Sequence, residues 1–254
     1  MKKAGKILLA LLMLSMMTIL FTACGDDDKA DSKSSEEKQA DYEKLLKDLS
    51  KVEFTGKGAQ ILAEQEGVKL DEQVAENGDF QSTMGNDKFS LTISSVDGKG
   101  YVKGFYTDKD GNKQEFAYLA PEGSNVADKD SSLNIDPSQV ASFLKDENGN
   151  AASDISDVKY EKTAGGKDYV SVKITTKGDD PETIPATLLF EESSQKLAGL
   201  IINTGEAEMT VNFGAFNIKV DASAYTEGSE SDLMTAVLSA MACAKEGDKD
   251  DDEE

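Results

Sequence analysis

Phe89, Leu91 and Ile93 alternate with Lys88, Ser90, Thr92 and Ser94. This period of two is met by an extended strand with one buried face and not by a helix. Tyr101, Lys103 and Phe105 alternate in the same way with Val102 and Tyr106. Between and around these runs stand Asn77-Gly78, Asn86-Asp87, Asp97-Gly98 and Asp110-Gly111. Such pairs supply the positive φ angles of tight hairpins. Residues 52–119 therefore read as about five antiparallel strands, although 59–65 also suits a helix.

Helices are expected at three places. Tyr42, Leu45, Leu46 and Leu49 follow helical spacing, so 41–49 reads as a short amphipathic helix. In 135–144, Asp136 caps, Pro137 takes the first helical position and Gln139 completes a capping box. Ser229 with Asp232 opens a closing helix that carries Leu233, Met234, Val237, Leu238 and Met241. Strands are expected at 158–162, 169–176, 183–191, 196–203, 207–213 and 216–220. Around Leu188, Phe190, Leu200 and Ile202 both alternating sets are apolar, which calls for cover on both faces.

The basic residues are all lysine, with no Arg, His or Trp in the chain. Bidentate guanidinium clamps, Ser-His-Asp triads, His-containing zinc sites and imidazole acid-base chemistry are thereby excluded. Ser142-Phe-Leu-Lys145 has the Ser-x-x-Lys spacing of penicillin-interacting enzymes but lacks their Lys-Thr-Gly and Ser-Asp-Asn companions. Asp146 to Asp157 places oxygen ligands at calcium-loop spacing, but Ala151 stands where the sharp turn needs Gly. The sequence thus suggests no enzyme, no cofactor and no metal.

Residues 1–23 join Lys2, Lys3 and Lys6 to an apolar run from Ile7 to Phe21 and read as a signal peptide. Leu20-Phe-Thr-Ala-Cys24 resembles the bacterial lipoprotein box. That resemblance implies a diacylglyceryl Cys24 as the mature amino terminus, anchored on the extracytoplasmic face of the cell membrane. The mature chain keeps 24 lysines against 49 acids, a net charge of −25, which disfavours nucleic acid. With Cys24 acylated, Cys243 has no partner for an intramolecular disulfide. Residues 24–40 read as the lipidated cysteine and a disordered tether, 41–246 as one domain, and 247–254 as an acidic disordered tail.

The order of elements, and above all Leu133-Asn-Ile-Asp-Pro-Ser-Gln-Val-Ala-Ser-Phe-Leu144, resembles the superfamily of Lol-type lipoprotein carriers and the LppX and LprG type lipoproteins. The resemblance implies an α+β fold: a strongly curved antiparallel β half-barrel with short helices packed on its concave side, around an apolar cavity for acyl chains. Phe89, Leu91, Ile93, Leu188, Phe190, Leu200, Ile202, Met209, Val211 and Phe213 are the candidate lining. A filled core uses the same residue types. Two functions therefore stand open: a lipid-binding lipoprotein, or an envelope interaction module with a protein partner and no ligand.

Overall fold

The computed structural model describes residues 33–65, 67–122, 124, 144, 150–177, 181–203 and 208–245. The expected signal peptide, Cys24, the helix expected at 135–144 apart from Leu144, and the expected acidic tail lie outside them. The chain divides into two compact units, residues 1–59 with 136–215 and residues 60–135 with 216–254.

In chain order the described strands are β1 (Gly58–Gln65), β2 (Val68–Val74), β3 (Phe80–Gly85), β4 (Phe89–Val96), β5 (Lys99–Thr107) and β6 (Lys113–Leu119). Then come β7 (Ser153–Ala164), β8 (Lys167–Thr176), β9 (Thr183–Glu191), β10 (Leu197–Asn203), β11 (Glu208–Gly214) and β12 (Thr226–Glu227). Helix α1 is Ser35–Leu45 and α2 is Glu230–Lys245. Strands of the first unit lie in the order β1-β11-β10-β9-β8-β7, with β1 lending it two residues; those of the second lie β12-β6-β5-β4-β3-β2-β1. Neither order closes. The ladders β2 to β6 and β7 to β11 are antiparallel, and β12 pairs in parallel with β6. This is the α+β class, with an open antiparallel sheet and helices, that the resemblance implies.

The turns have the chemistry their hairpins need. Asp97 and Gly98, with φ of 50° and 74°, join β4 to β5, and Gly165 and Gly166, at 57° and 71°, join β7 to β8. Both pairs have the positive φ at consecutive positions that matches strand twist. Residues 59–65 are strand rather than helix, because Ala59 and Ile61 alternate into the core. Six strands rather than five fill the span up to Leu119. In 216–220 no ladder forms. Ile218 there is buried, so the alternation reflects burial without strand pairing.

Helix α1 starts at Ser35, six residues before the boundary at Asp41 and inside the stretch expected to be tether. Ser34 and Glu37 make a capping box: the Glu37 amide donates to Ser34 Oγ at 3.3 Å and the Ser34 amide to Glu37 Oε2 at 2.9 Å. Two otherwise orphaned donors are satisfied, which makes an early start favourable.

In the second unit, Leu233, Val237 and Ala240 of α2 pack on Phe80, Phe89, Leu91, Ile93 and Val102. The helix opens as expected, with the Asp232 amide donating to Ser229 Oγ and the Ser229 amide donating to Asp232 Oδ2. Met234 and Leu238 lie on its exposed side. A side chain at Gly104 of β5 would run into the Ser90 carbonyl of β4. Gly104→Ala should therefore cost about 1–3 kcal/mol in urea unfolding, since backbone rather than a flexible side chain must move.

Candidate functional site

The apolar face of the first unit follows from register. On β8, Asp168, Val170, Val172 and Ile174 share one face, because alternate residues point the same way. Phe190 stands opposite Asp168, Leu188 opposite Val170, Leu200 opposite Leu188, Val211 opposite Leu200, and Met209 opposite Ile202. All of these except Met209 are buried. Phe213 continues the row on β11 and meets Phe54 edge to face, with ring centroids 4.8 Å apart. A carboxylate, Asp168, thus sits at the end of an apolar row.

Helix α1 brings its polar groups to that carboxylate. Lys38 and Tyr42 are four residues apart and so lie on one side of the helix. Lys38 Nζ donates to Asp168 Oδ1 at 2.9 Å, Glu192 Oε1 at 2.7 Å and Thr163 Oγ1 at 2.8 Å, using all three ammonium hydrogens. The Tyr42 hydroxyl donates to Asp168 Oδ2 at 2.7 Å, and Thr163 Oγ1 donates to Asp168 Oδ1 at 2.5 Å. The Tyr42 ring lies 4.8 Å from Phe190 and 6.5 Å from Tyr160, centroid to centroid. Lys38 is only 6% exposed and Asp168 2%, so this is a buried ion pair with its hydrogen bonds satisfied.

Gln39 supports the same join. Its Nε2 donates to the Val158 carbonyl at 2.8 Å and its Oε1 accepts from the Tyr160 amide at 2.6 Å. The side-chain amide thereby supplies the ladder partner missing at the outer edge of β7, the last strand in its order. Bulges between Ser156 and Lys159 and between Tyr160 and Lys162 further break that edge, which limits unwanted strand pairing.

Burial works against the Lys38 charge, but the hydrogen bonds to Glu192 and Asp168 outweigh it and hold its pKa above the ordinary 10.5. For Asp168, burial also works against charge, while Thr163, Tyr42 and Lys38 hold its pKa below 3.8. Burial, followed by the bond to Asp168, pushes the Tyr42 phenol well up. A lysine kept protonated is neither base nor nucleophile, and a phenol kept protonated is a donor only. The cluster fastens α1 to the sheet.

A pH profile follows from those directions. The raised lysine contributes stability that is full below pH 10.5 and is lost as pH rises through its folded value. The depressed aspartate contributes stability present above pH 3.8 and lost as pH falls through its folded value. Urea midpoints should be flat between about pH 5 and pH 9 and fall on both sides. In Lys38→Met the alkaline loss assigned to this lysine should be missing.

The structure gathers Leu188, Phe190, Leu200, Ile202, Met209, Val211 and Phe213 on one face of the first unit. It places Phe89, Leu91 and Ile93 in the second unit, directly beneath α2. Cys24 lies outside the described residues, as does 145–149 of the suspected calcium loop; Ser153 onward in that loop is strand. Among the described residues no cluster of three or more acidic or cysteine side chains is arranged to hold a metal. Cys243 is half-buried, its thiol 3.4 Å from the Thr107 carbonyl.

Sequence reasoning does not single out Lys38, Thr163, Asp168 or Glu192. One signal was available: Asp168 stands in phase with Val170, Val172 and Ile174, where a charge is tolerated only if it is paired. Glu72, 1% exposed and in phase with Leu70 and Val74, repeats that pattern on β2.

No protein-family model matches the chain, and no curated protein matches it. Among solved structures, a Vibrio parahaemolyticus domain provisionally described as an outer membrane lipoprotein-sorting protein domain aligns over 81% of this chain and 100% of its own. The identity is 9% and the TM-score 0.20. Likeness at that level carries no argument about function. What the fold and the site define is an α+β protein with open antiparallel strand orders, each with an apolar face and a helix fastened to it.

Proposed function

We propose that the protein is a non-enzymatic lipoprotein, anchored through a diacylglyceryl Cys24 on the extracytoplasmic face of the cell membrane, that binds a lipid or other apolar ligand. In this reading the sheet acts as a Lol-type half-barrel. The ligand lies against the face that carries Leu188, Leu200, Ile202, Met209 and Val211. One observation supports it above the others: seven of the ten candidate lining residues, separated in sequence, converge on one continuous apolar face.

A second reading has its own support. Phe89, Leu91 and Ile93 are already covered by α2, which is the packing of a filled core. A protein filled throughout would serve as an envelope interaction module. The full chain with Cys24→Ser, exported without its anchor, separates the two by native mass spectrometry. A bound lipid mass that Leu200→Trp removes supports the ligand. A bare protein that crosslinks in cells to one envelope protein supports the module. Cys24→Ser should also move the protein from the membrane fraction to the soluble one, because both acyl chains are lost.

A further inference from the structure

The second unit has a polar face as well as an apolar one. Thr83, Ser90 and Thr92 alternate with the residues that meet α2 and so point away from it. Thr83 stands opposite Thr92 and Gly85 opposite Ser90, and the two threonine hydroxyls are 3.1 Å apart. These short side chains make a floor. On either side, β2 and β5 raise longer ones: Lys69 and Asp71 on one rim, Lys103 and Phe105 on the other. Two adjoining open grooves of about 440 and 530 Å³ share Ser90.

The rim is oriented. Gln60 Nε2 and Gln73 Nε2 both donate to Asp71 Oδ1, at 2.9 and 3.3 Å. Among the described residues Asp71 Oδ2 has no partner. The carboxylate is thus aimed by neutral amides. Lys69 and Lys103 likewise have no ion pair among the described residues. The side chains facing the grooves therefore bring the Ser90 hydroxyl, the mutually bonded Thr83 and Thr92 hydroxyls, one oriented carboxylate acceptor and the Lys69 and Lys103 ammonium donors.

That inventory selects among ligands. A peptide strand adds to a sheet through main-chain hydrogen bonds at an edge, and on this face the main-chain groups of β3, β4 and β5 are paired with one another. An acyl chain would strip water from the hydroxyls without replacing their hydrogen bonds. A polyanion meets a chain of net charge −22 and grooves whose lining also carries Asp71, Asp87 and Glu115. An uncharged ligand rich in hydroxyls satisfies donors and acceptors alike.

We infer that the outer face of β2 to β5 is a binding site for an uncharged, polyhydroxylated ligand of the glycan class, with Asp71 as the fixed acceptor and Thr92 in the floor. The site lies on the face opposite α2 and is independent of the lipid reading. The test is calorimetric titration of the full chain carrying Cys24→Ser with chitotetraose and, separately, cellotetraose. At least one should bind with a Kd of about 1 mM or tighter. Asp71→Asn, which keeps the shape but exchanges an acceptor for a donor, should weaken it at least tenfold. Thr92→Val should weaken it as well. Melting temperatures within a few degrees of the parent show that the fold is retained, and where Thr92→Val fails that check, Asp71→Asn decides. Binding of neither sugar, or binding that Asp71→Asn leaves unchanged, overturns the inference.

Discussion

Lys38→Met should lower the unfolding free energy by about 3–5 kcal/mol, the usual cost of removing one partner from a buried ion pair. Methionine fills much the same space, so the loss comes from charge rather than from a cavity. Asp168, 2% exposed, would keep Tyr42 and Thr163 as donors but lose its cation. Glu192 is 39% exposed on its side chain and rehydrates at little cost. The comparison that isolates the mechanism is Lys38→Met combined with Asp168→Leu, which leaves no buried charge and should recover part of the loss. Urea unfolding measures both. A single variant within about 0.5 kcal/mol of the parent would show that α1 is not fastened through this lysine.

Phe89→Ala should cost about 3–5 kcal/mol by a different route. Phe89 is wholly buried in β4, between neighbouring strands and beneath Leu233 and Val237 of α2. Truncation removes its transfer free energy and leaves a cavity that a sheet covered by a helix can close only in part. Met234→Ala, on the exposed side of α2, should fall within about 0.5 kcal/mol of the parent. Hydrogen exchange should show β4, β5 and α2 losing protection first in Phe89→Ala. A near-neutral Phe89→Ala would mean that the space beneath α2 is loose enough for a ligand after all.

Much of the fold was legible because its signals are local. The alternation of Phe89, Leu91 and Ile93, the Asp97-Gly98 hairpin and the Ser229-Asp232 cap each act within a few residues. The helix start at Ser35 was legible too, in the Ser34 and Glu37 spacing, but the polar composition around it reads as tether. Composition misleads there because a charged residue such as Lys38 can be buried once it is paired. The strand expected at 216–220 fails for the converse reason: alternation records burial, and a ladder needs a neighbour that no local pattern supplies.

The kinds of element in this protein are legible in its amino-acid order. Its periods of two, its turn pairs and its capped helices call for antiparallel strands and a few helices, and the missing His and Arg remove whole families of chemistry. What those elements hold together depends on contacts between distant parts of the chain. Lys38 meets Asp168 across 130 residues and Glu192 across 154. The floor and rims of the polar trough likewise exist only once β2 to β5 are in register. Backbone preference is settled between near neighbours, whereas a salt bridge or a binding face depends on which distant strands pair, and that is fixed by the packing of the whole.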